Sequence, residues 1–344
     1  MLRTGSATPE LSVVAPCYNE EDGLAEFHRR VSVVAHATGM TYEIVLVDDG
    51  SRDRTWEIMQ ELAANDSHVV SIKLSRNHGH QLALTAGLSS CRGQRILILD
   101  ADLQDPPELL PQMLELMDQG AEVVYGQRRR RAGESRMKVG TAALFYRLIN
   151  RLTDVRIPQD TGDFRLISRR VLDVFLAMPE RQRFIRGMIA WLGFRQVPLL
   201  YDRDARFAGE THYPLRKMVR LAIDAVTSFS TRPLILASLL GLFFSFAAFV
   251  LLFYALYAWA FLDAVPGWTS QMVVMSLLGG VQLLVLGIQG EYLGRLFDQA
   301  KGRPLFLIDE IVGGGRQMAV AAPVVPKAPR SPESNSSHQP ALTA

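Results

Sequence analysis

From Leu234 to Leu262, and again from Met272 to Gln289, no side chain carries a formal charge. Runs of this length satisfy their backbone polar groups in lipid only as helices, and each is near the length needed to cross a bilayer. A buried soluble hairpin is the alternative, but soluble helices this long ordinarily keep a charged face. The turn between the runs, Asp263 to Trp268, has no Lys or Arg. Arg216, Lys217, Arg220 and Arg232 precede the first run, and Arg295, Lys301 and Arg303 follow the second. The positive-inside rule then puts both ends of the pair on the cytoplasmic side.

Ahead of these runs the pattern changes class. Leu11 to Cys17, Ile44 to Asp48, Val69 to Leu74, Ile96 to Leu99 and Glu122 to Gly126 read as short strands; segments starting near Glu20, Arg54, Gly79 and Pro107 read as helices. Such alternation predicts an α/β domain with a mostly parallel sheet and flanking helices. The expected order is a disordered N-terminus over 1–10, a catalytic domain over 11–210 and a juxtamembrane amphipathic helix over 211–233. Transmembrane helices follow over 234–262 and 269–290, then a cytoplasmic post-membrane segment over 291–312 and a disordered tail over 313–344. Within 211–233, Leu215, Met218, Val219, Ala222 and Val226 share a helical face opposite Arg216, Lys217 and Arg220. That suits a headgroup-level helix or plain domain packing. The first ten residues hold no apolar run, so no signal peptide is expected there. A net charge of only +2 argues against nucleic acid as partner. Cys17 and Cys91 lack metal-ligand spacing and suit small core residues in a reducing compartment.

The chemistry gathers at strand ends. RILILDADLQDPPE, Arg95 to Glu108, is an apolar strand ending on Asp100, with Asp102 two residues on. Carboxylates so spaced can turn toward one hard cation, with Gln104 a third oxygen donor; alone, the motif would read as a solvated loop. EIVLVDD ends a second strand on Asp48 and Asp49, which can accept hydrogen bonds from a base or ribose. In open α/β sheets ligands bind beyond the carboxyl ends of strands, where Asn19, Asp48, Asp49, Asp100 and Asp102 would meet. No Gly-x-Gly follows the first strand and no Walker motif occurs, so phosphates must be met by metal and arginine. GQRRRRAGESRMK, Gly126 to Lys138, supplies five arginines and a lysine, either a solvated patch or a phosphate-binding loop.

The series PCYNEEDGL, VDDGSRDRT, LSRNHGHQLALTAGL, DADLQDPPE, GQR, GDFRLISRR and RFAGET resembles the family 2, GT-A fold glycosyltransferases that load a sugar onto a polyprenyl phosphate. These are the dolichol-phosphate mannose synthases and bacterial bactoprenol glucosyltransferases. The resemblance runs from about Leu11 to Arg303, and GEYLGR at Gly290 to Arg295 looks most like the bacterial branch. It implies a UDP- or GDP-sugar donor held by Pro16, Tyr18, Asn19, Glu20, Asp48 and Asp49, and a Mg²⁺ or Mn²⁺ ion on Asp100, Asp102 and Gln104. It implies phosphate contacts from Arg128 and Arg136, and an acceptor contact from Arg206. It also implies an integral protein of the bacterial inner membrane acting on undecaprenyl phosphate, with UDP-glucose as donor.

A lipid phosphate is already mostly anionic at neutral pH, its second pKa lying near about 6 as in phosphoserine. A general base is therefore dispensable, and a single displacement inverts the anomeric centre. Asp163, in QDTGDFRL, is expected to contact sugar hydroxyls or assist the acceptor, and Asp160 to do the same or cap a loop. His78 and His80 read as helix-start residues. Two rival readings exist. A processive polysaccharide synthase would carry Gln-x-x-Arg-Trp, which is absent; an inactive membrane-tethered binding protein would have no need of both acid pairs. Gly279, Gly280, Gly287, Gly290 and Gly294 admit close helix approach, in a homo-oligomer or within the helical hairpin.

Overall fold

The computed structural model describes residues 8–129, 161–202, 230, 232–261, 267–314 and 318–319. Arg136, Asp160, Arg206, the stretch 213–229 and all but two residues of the tail beyond Gly314 lie outside them. Strand β1 (Leu11–Cys17) is buried at every position. It pairs in parallel with β2 (Tyr42–Asp48) on one side and β4 (Arg95–Ile98) on the other, and β3 (Val69–Leu74) continues beyond β2. Strands covered on both faces need continuous apolar runs rather than alternation, and LSVVAPC and EIVLVD supply them. The crossovers are α1 (Leu24–Ala37), α2 (Thr55–Asn65) and α3 (His80–Ser90); α4 (Leu110–Asp118) follows β4.

Helix α1 buries Leu24, Phe27, Val31, Val34 and Ala35, a three-to-four spacing that lays one stripe on the sheet. Each fully buried side chain of this kind is worth about 1.5–3 kcal/mol. Helix α3 lies closer still. A Cβ on Gly87 would stand 2.5 Å from Val14 Cγ1 and 3.0 Å from Val47 Cγ2, so only glycine lets this helix sit so near β1 and β2. That packing fixes the N-terminus of α3, and with it His80, at the carboxyl edge of the sheet.

Around the parallel block the sheet becomes mixed. Strand β5 (Val123–Arg128) pairs antiparallel with β6 (Thr161–Ser168), β6 antiparallel with β4, and β7 (Gln196–Tyr201) parallel with β5. Helices α5 (Arg169–Ala177) and α6 (Ile185–Trp191) connect β6 to β7. Two long helices, α7 (Arg232–Phe261) and α8 (Trp268–Ala300), come next. Then β8 (Ile308–Gly313) pairs antiparallel with β3, and β9 (Met318–Ala319) with β8. Among the described residues the sheet order is β7-β5-β6-β4-β1-β2-β3-β8-β9.

Strands β6, β7 and β8 escape a sequence reading for a common reason. β6 carries Asp163 and Arg165 at buried positions, β7 contains a proline, and β8 carries Asp309 and Glu310 in a segment expected only to trail the membrane helices. Phe306 and Ile308 are buried in the domain core, so the chain returns from the helical hairpin to complete the sheet. The expected tail also opens with structure, since β8 runs to Gly313 and β9 lies beyond it.

Both long helices are long and apolar enough to cross a membrane. Their large side chains point outward: Leu242, Phe246, Phe253 and Leu283 are about 70% exposed, a surface no soluble monomer leaves bare. Tyr292 Oη on α8 donates to the Ser230 carbonyl at 2.6 Å, tying the hairpin to the chain entering it. A Cβ added at Gly279, Gly280, Gly287, Gly290 or Gly294 would meet nothing within 4 Å among the described residues.

Candidate active site

The parallel strands β1, β2 and β4 end at one edge, and β6, running the other way, starts there. Ile98 stands opposite Arg165 in the β4–β6 register, and carrying that register on by two residues sets Asp100 opposite Asp163. The acid following one strand therefore meets an acid beginning another. A cleft of about 270 Å³ opens above them, lined by Pro16, Tyr18, Glu20, Asp49, Asp100 and Asp102, together with Asn77, Gly79 and His80. Six of the expected site residues thus share one cavity.

The two other residues of the first acid edge, Asn19 and Asp48, brace the loops beside it. Asn19 adopts φ 54°, its N–H donates to Ser51 Oγ at 3.0 Å, and its Oδ1 accepts the Arg52 N–H at 2.9 Å. Asp48 Oδ1 accepts the Ser51 N–H at 3.0 Å. The loops after β1 and β2 are thereby laced together. Asp49 accepts the N–H groups of His78 at 2.7 Å and Gly79 at 2.9 Å, and burial raises its pKa. Gly79 takes φ 94°, a conformation that favours glycine, and α3 starts one residue later, in keeping with the helix-start reading of this histidine segment.

His80 has a second role that the sequence does not disclose. Its Nε2 lies 3.1 Å from Asp163 Oδ2 and 3.5 Å from Asp100 Oδ1. Asp163 is buried beneath it and also accepts from Gln81 Nε2 at 2.9 Å and Arg186 Nε at 2.9 Å. Burial would raise the Asp163 pKa, but Arg186, His80 and Arg165 hold it far below the usual carboxylate range. Burial would lower the His80 pKa, but the bond to Asp163 and the Asp100 charge lift it to about 9. Asp100 moves up to about 6, chiefly through burial, with His80 opposing and Asp163, Asp105 and Asp102 reinforcing. Arg165, fully enclosed, donates to the Asp163 and Gly162 carbonyls and is lowered by burial to about 10. Asp163 therefore faces side chains of the protein rather than the open cleft. The sequence carries no signal for Gln81 or Arg186, because their meeting depends on the unread strand β6.

Donor ligands from His80, Asp100 and Asp163 all lie within 4.8 Å of one another. Asp100 Oδ1 is buried and has no hydrogen-bond partner among the described residues, which fits a carboxylate oxygen awaiting a cation. Asp102 lines the same cleft while its Oδ1 accepts the Gln104 N–H at 3.1 Å, across Leu103 at φ 59°. Gln104 thus contributes its backbone to shaping the acid loop, and its side chain is not among those lining the cleft.

Arg128 ends β5 next door. Its Nη2 lies 3.2 Å from where a Cβ on Gly162 would stand, beside Asp105 Oδ2, so it borders the residue preceding Asp163. Tyr201 Oη lies 3.5 Å from Arg128 Nε and donates to Asp105 Oδ1 at 2.5 Å. Burial and the Asp105 charge push the Tyr201 pKa well up, keeping the phenol protonated as a donor. Cys17 also lines the cleft, but burial and the acids around it raise its thiol far above neutrality, the state of an inert core residue.

Residues 12–176 match the family described as glycosyl transferase family 2. The chain is 46% identical over 305 residues to an uncharacterized glycosyltransferase of Bacillus subtilis, covering 88% of this chain and 94% of that one. It is 41% identical over 307 residues to an uncharacterized glycosyltransferase of Synechocystis, covering 89% and 96%. A prophage bactoprenol glucosyl transferase homolog of Escherichia coli is 37% identical over 308 residues, covering 88% and 99%. The chain belongs to glycosyl transferase family 2. It is a glycosyltransferase with a GT-A-like α/β fold and two candidate membrane helices, related along most of its length to proteins named for transfer to bactoprenol.

Proposed function

We propose that the protein transfers a sugar, glucose, with inversion from a UDP-sugar to undecaprenyl phosphate at the cytoplasmic face of the bacterial inner membrane. The observation that carries this reading is the joining, in one chain, of an acid-rimmed cleft at the strand ends with two long helices whose apolar side chains face outward. The names of the bactoprenol relatives support the same acceptor and sugar.

Pro16, Tyr18, Glu20 and Asp49 bind the nucleotide, with Asn19 and Asp48 holding the loops that carry them. Asp100 and Asp102 would hold Mg²⁺ or Mn²⁺, which would supply positive charge to the diphosphate. Asp163 and Arg186 orient His80. Arg128, kept in place by Tyr201 and Asp105, stabilises the leaving diphosphate, and Arg136 and Arg206 steer the acceptor phosphate in line. The acceptor oxygen arrives already anionic, so no side chain needs to remove a proton. Membranes containing the protein, given a panel of radiolabelled nucleotide sugars and undecaprenyl phosphate, test the whole reading. Label entering the lipid phase from UDP-glucose is the expected result; label entering only from another donor would replace the sugar, and none at all would overturn the acceptor.

A further inference from the structure

A second cavity, of about 380 Å³, lies away from the acid cleft, between the loop after α5 and the C-terminal end of α8. Arg181 comes from the loop, and Arg295, Lys301 and Arg303 come from α8 and the residues just after it; Glu180 and Asp298 are the opposing charges. Four cations thus face two carboxylates. Lys301 is paired with Asp298 at 3.3 Å, and Arg295 with Glu291, outside the cavity, at 2.9 Å. Neither Arg181 nor Arg303 has an ion pair among the described residues. The loop itself is held from beneath, since Arg183 is buried and donates to the Phe175 and Met178 carbonyls.

The depth of this cavity says what it meets. The uncharged run of α8 ends at Gln289, and six further residues at the helical rise put Arg295 about 9 Å beyond it, at headgroup level. A basic cavity at the cytoplasmic end of a membrane helix, with more cations than anions, fits a phosphodiester headgroup. We propose that it seats the headgroup of an anionic phospholipid, fastening the catalytic domain to the bilayer surface through Arg181 and Arg303. This rests on reading α7 and α8 as membrane spans. It concerns neither the donor nor the acceptor site, and none of its residues lines the acid cleft.

The test is native mass spectrometry of the full chain in detergent, titrated with phosphatidylglycerol or phosphatidylcholine, with inorganic phosphate as competitor. Wild-type protein is expected to retain one phosphatidylglycerol in preference to phosphatidylcholine. The Arg181→Ala/Arg303→Ala variant should bind it about tenfold more weakly, as for the loss of charge-assisted hydrogen bonds. An Arg181→Lys/Arg303→Lys variant should retain most of the binding. Equal retention of both lipids, or unchanged binding by the alanine variant, would overturn the proposal. Full displacement of phosphatidylglycerol by inorganic phosphate would overturn the lipid source and leave a free-anion site. An alkaline carbonate wash of membranes separates the premise from the proposal: release of the protein sinks the spanning reading, whereas retention without lipid preference sinks only the headgroup site.

Discussion

The strand ends after β2 and β4 each carry a pair of acids, and as sequence they look alike. In the structure they are used differently. Asp48 and Asp49 accept backbone N–H groups from Ser51, His78 and Gly79, so their charge organises loops. Asp100 instead faces His80 and Asp163, and Asp102 opens onto the same cleft; a buried oxygen without a hydrogen bond among the described residues occurs in both pairs, at Asp48 Oδ2 and Asp100 Oδ1. The difference lies in what stands opposite. The segment after β3 presents N–H groups to Asp49, whereas the antiparallel strand β6 presents a carboxylate to Asp100. An acid that meets main-chain donors is held by the fold; one that meets another acid needs positive charge beside it, which His80 and Arg186 supply here.

The sharpest way to break this comparison is Asp102→Ala. Lipid-linked product should fall by at least about a hundredfold, as for loss of a metal contact, while membrane retention after a carbonate wash stays normal. Unchanged activity, or wild-type activity that survives a chelator, would end the cation role. Arg128→Ala should lower kcat by about a hundredfold, with a smaller change in donor affinity, because its charge matters most as the diphosphate departs. Single-turnover and donor-binding measurements separate the two effects. Asp49→Ala addresses the other acid pair and should cost about 1–3 kcal/mol of stability by leaving the His78 and Gly79 N–H groups unpaired. Chemical denaturation reads it directly, and a smaller stability loss than that of Asp102→Ala would invert the comparison.

The smallest effect expected comes from an acid remote from either pair. Asp66, beyond α2, is raised by burial but lowered more by the His68 N–H and by the rings of His28 and His68, for a net depression. A depressed carboxylate contributes stability that is complete above its unfolded pKa and is lost as the pH falls through its folded pKa. Asp66→Asn should therefore flatten the acid limb of the stability profile below about pH 4 and leave transfer activity unchanged.

Much of this is legible from residues alone. Continuous apolar runs mark β1 to β4, and the acids after β2 and β4 mark the edge where the cleft lies. Paired uncharged stretches mark the long helices. What escapes is whatever depends on a strand with charges at buried positions. In β6, Asp163 and Arg165 break the apolar pattern because they are buried as a mutually compensating group with Arg186, so neither the strand nor its register against Asp100 can be read. The role of His80 stays hidden for the same reason, since its partner is invisible. Gln104 draws notice in the sequence for its oxygen, yet it is its N–H, fixed by the strained Leu103, that shapes the acid loop.

Strand β8 carries a consequence for how the molecule is made. It hydrogen-bonds to β3 although α7 and α8 stand between them in the chain. The polypeptide that leaves along α7 must come back along α8 to the sheet it started from. During synthesis the β3 edge stays uncovered until the ribosome has finished both helices, and an exposed strand edge is where unfinished chains stick to one another. The last rungs of the sheet thereby close only after both long helices have been made.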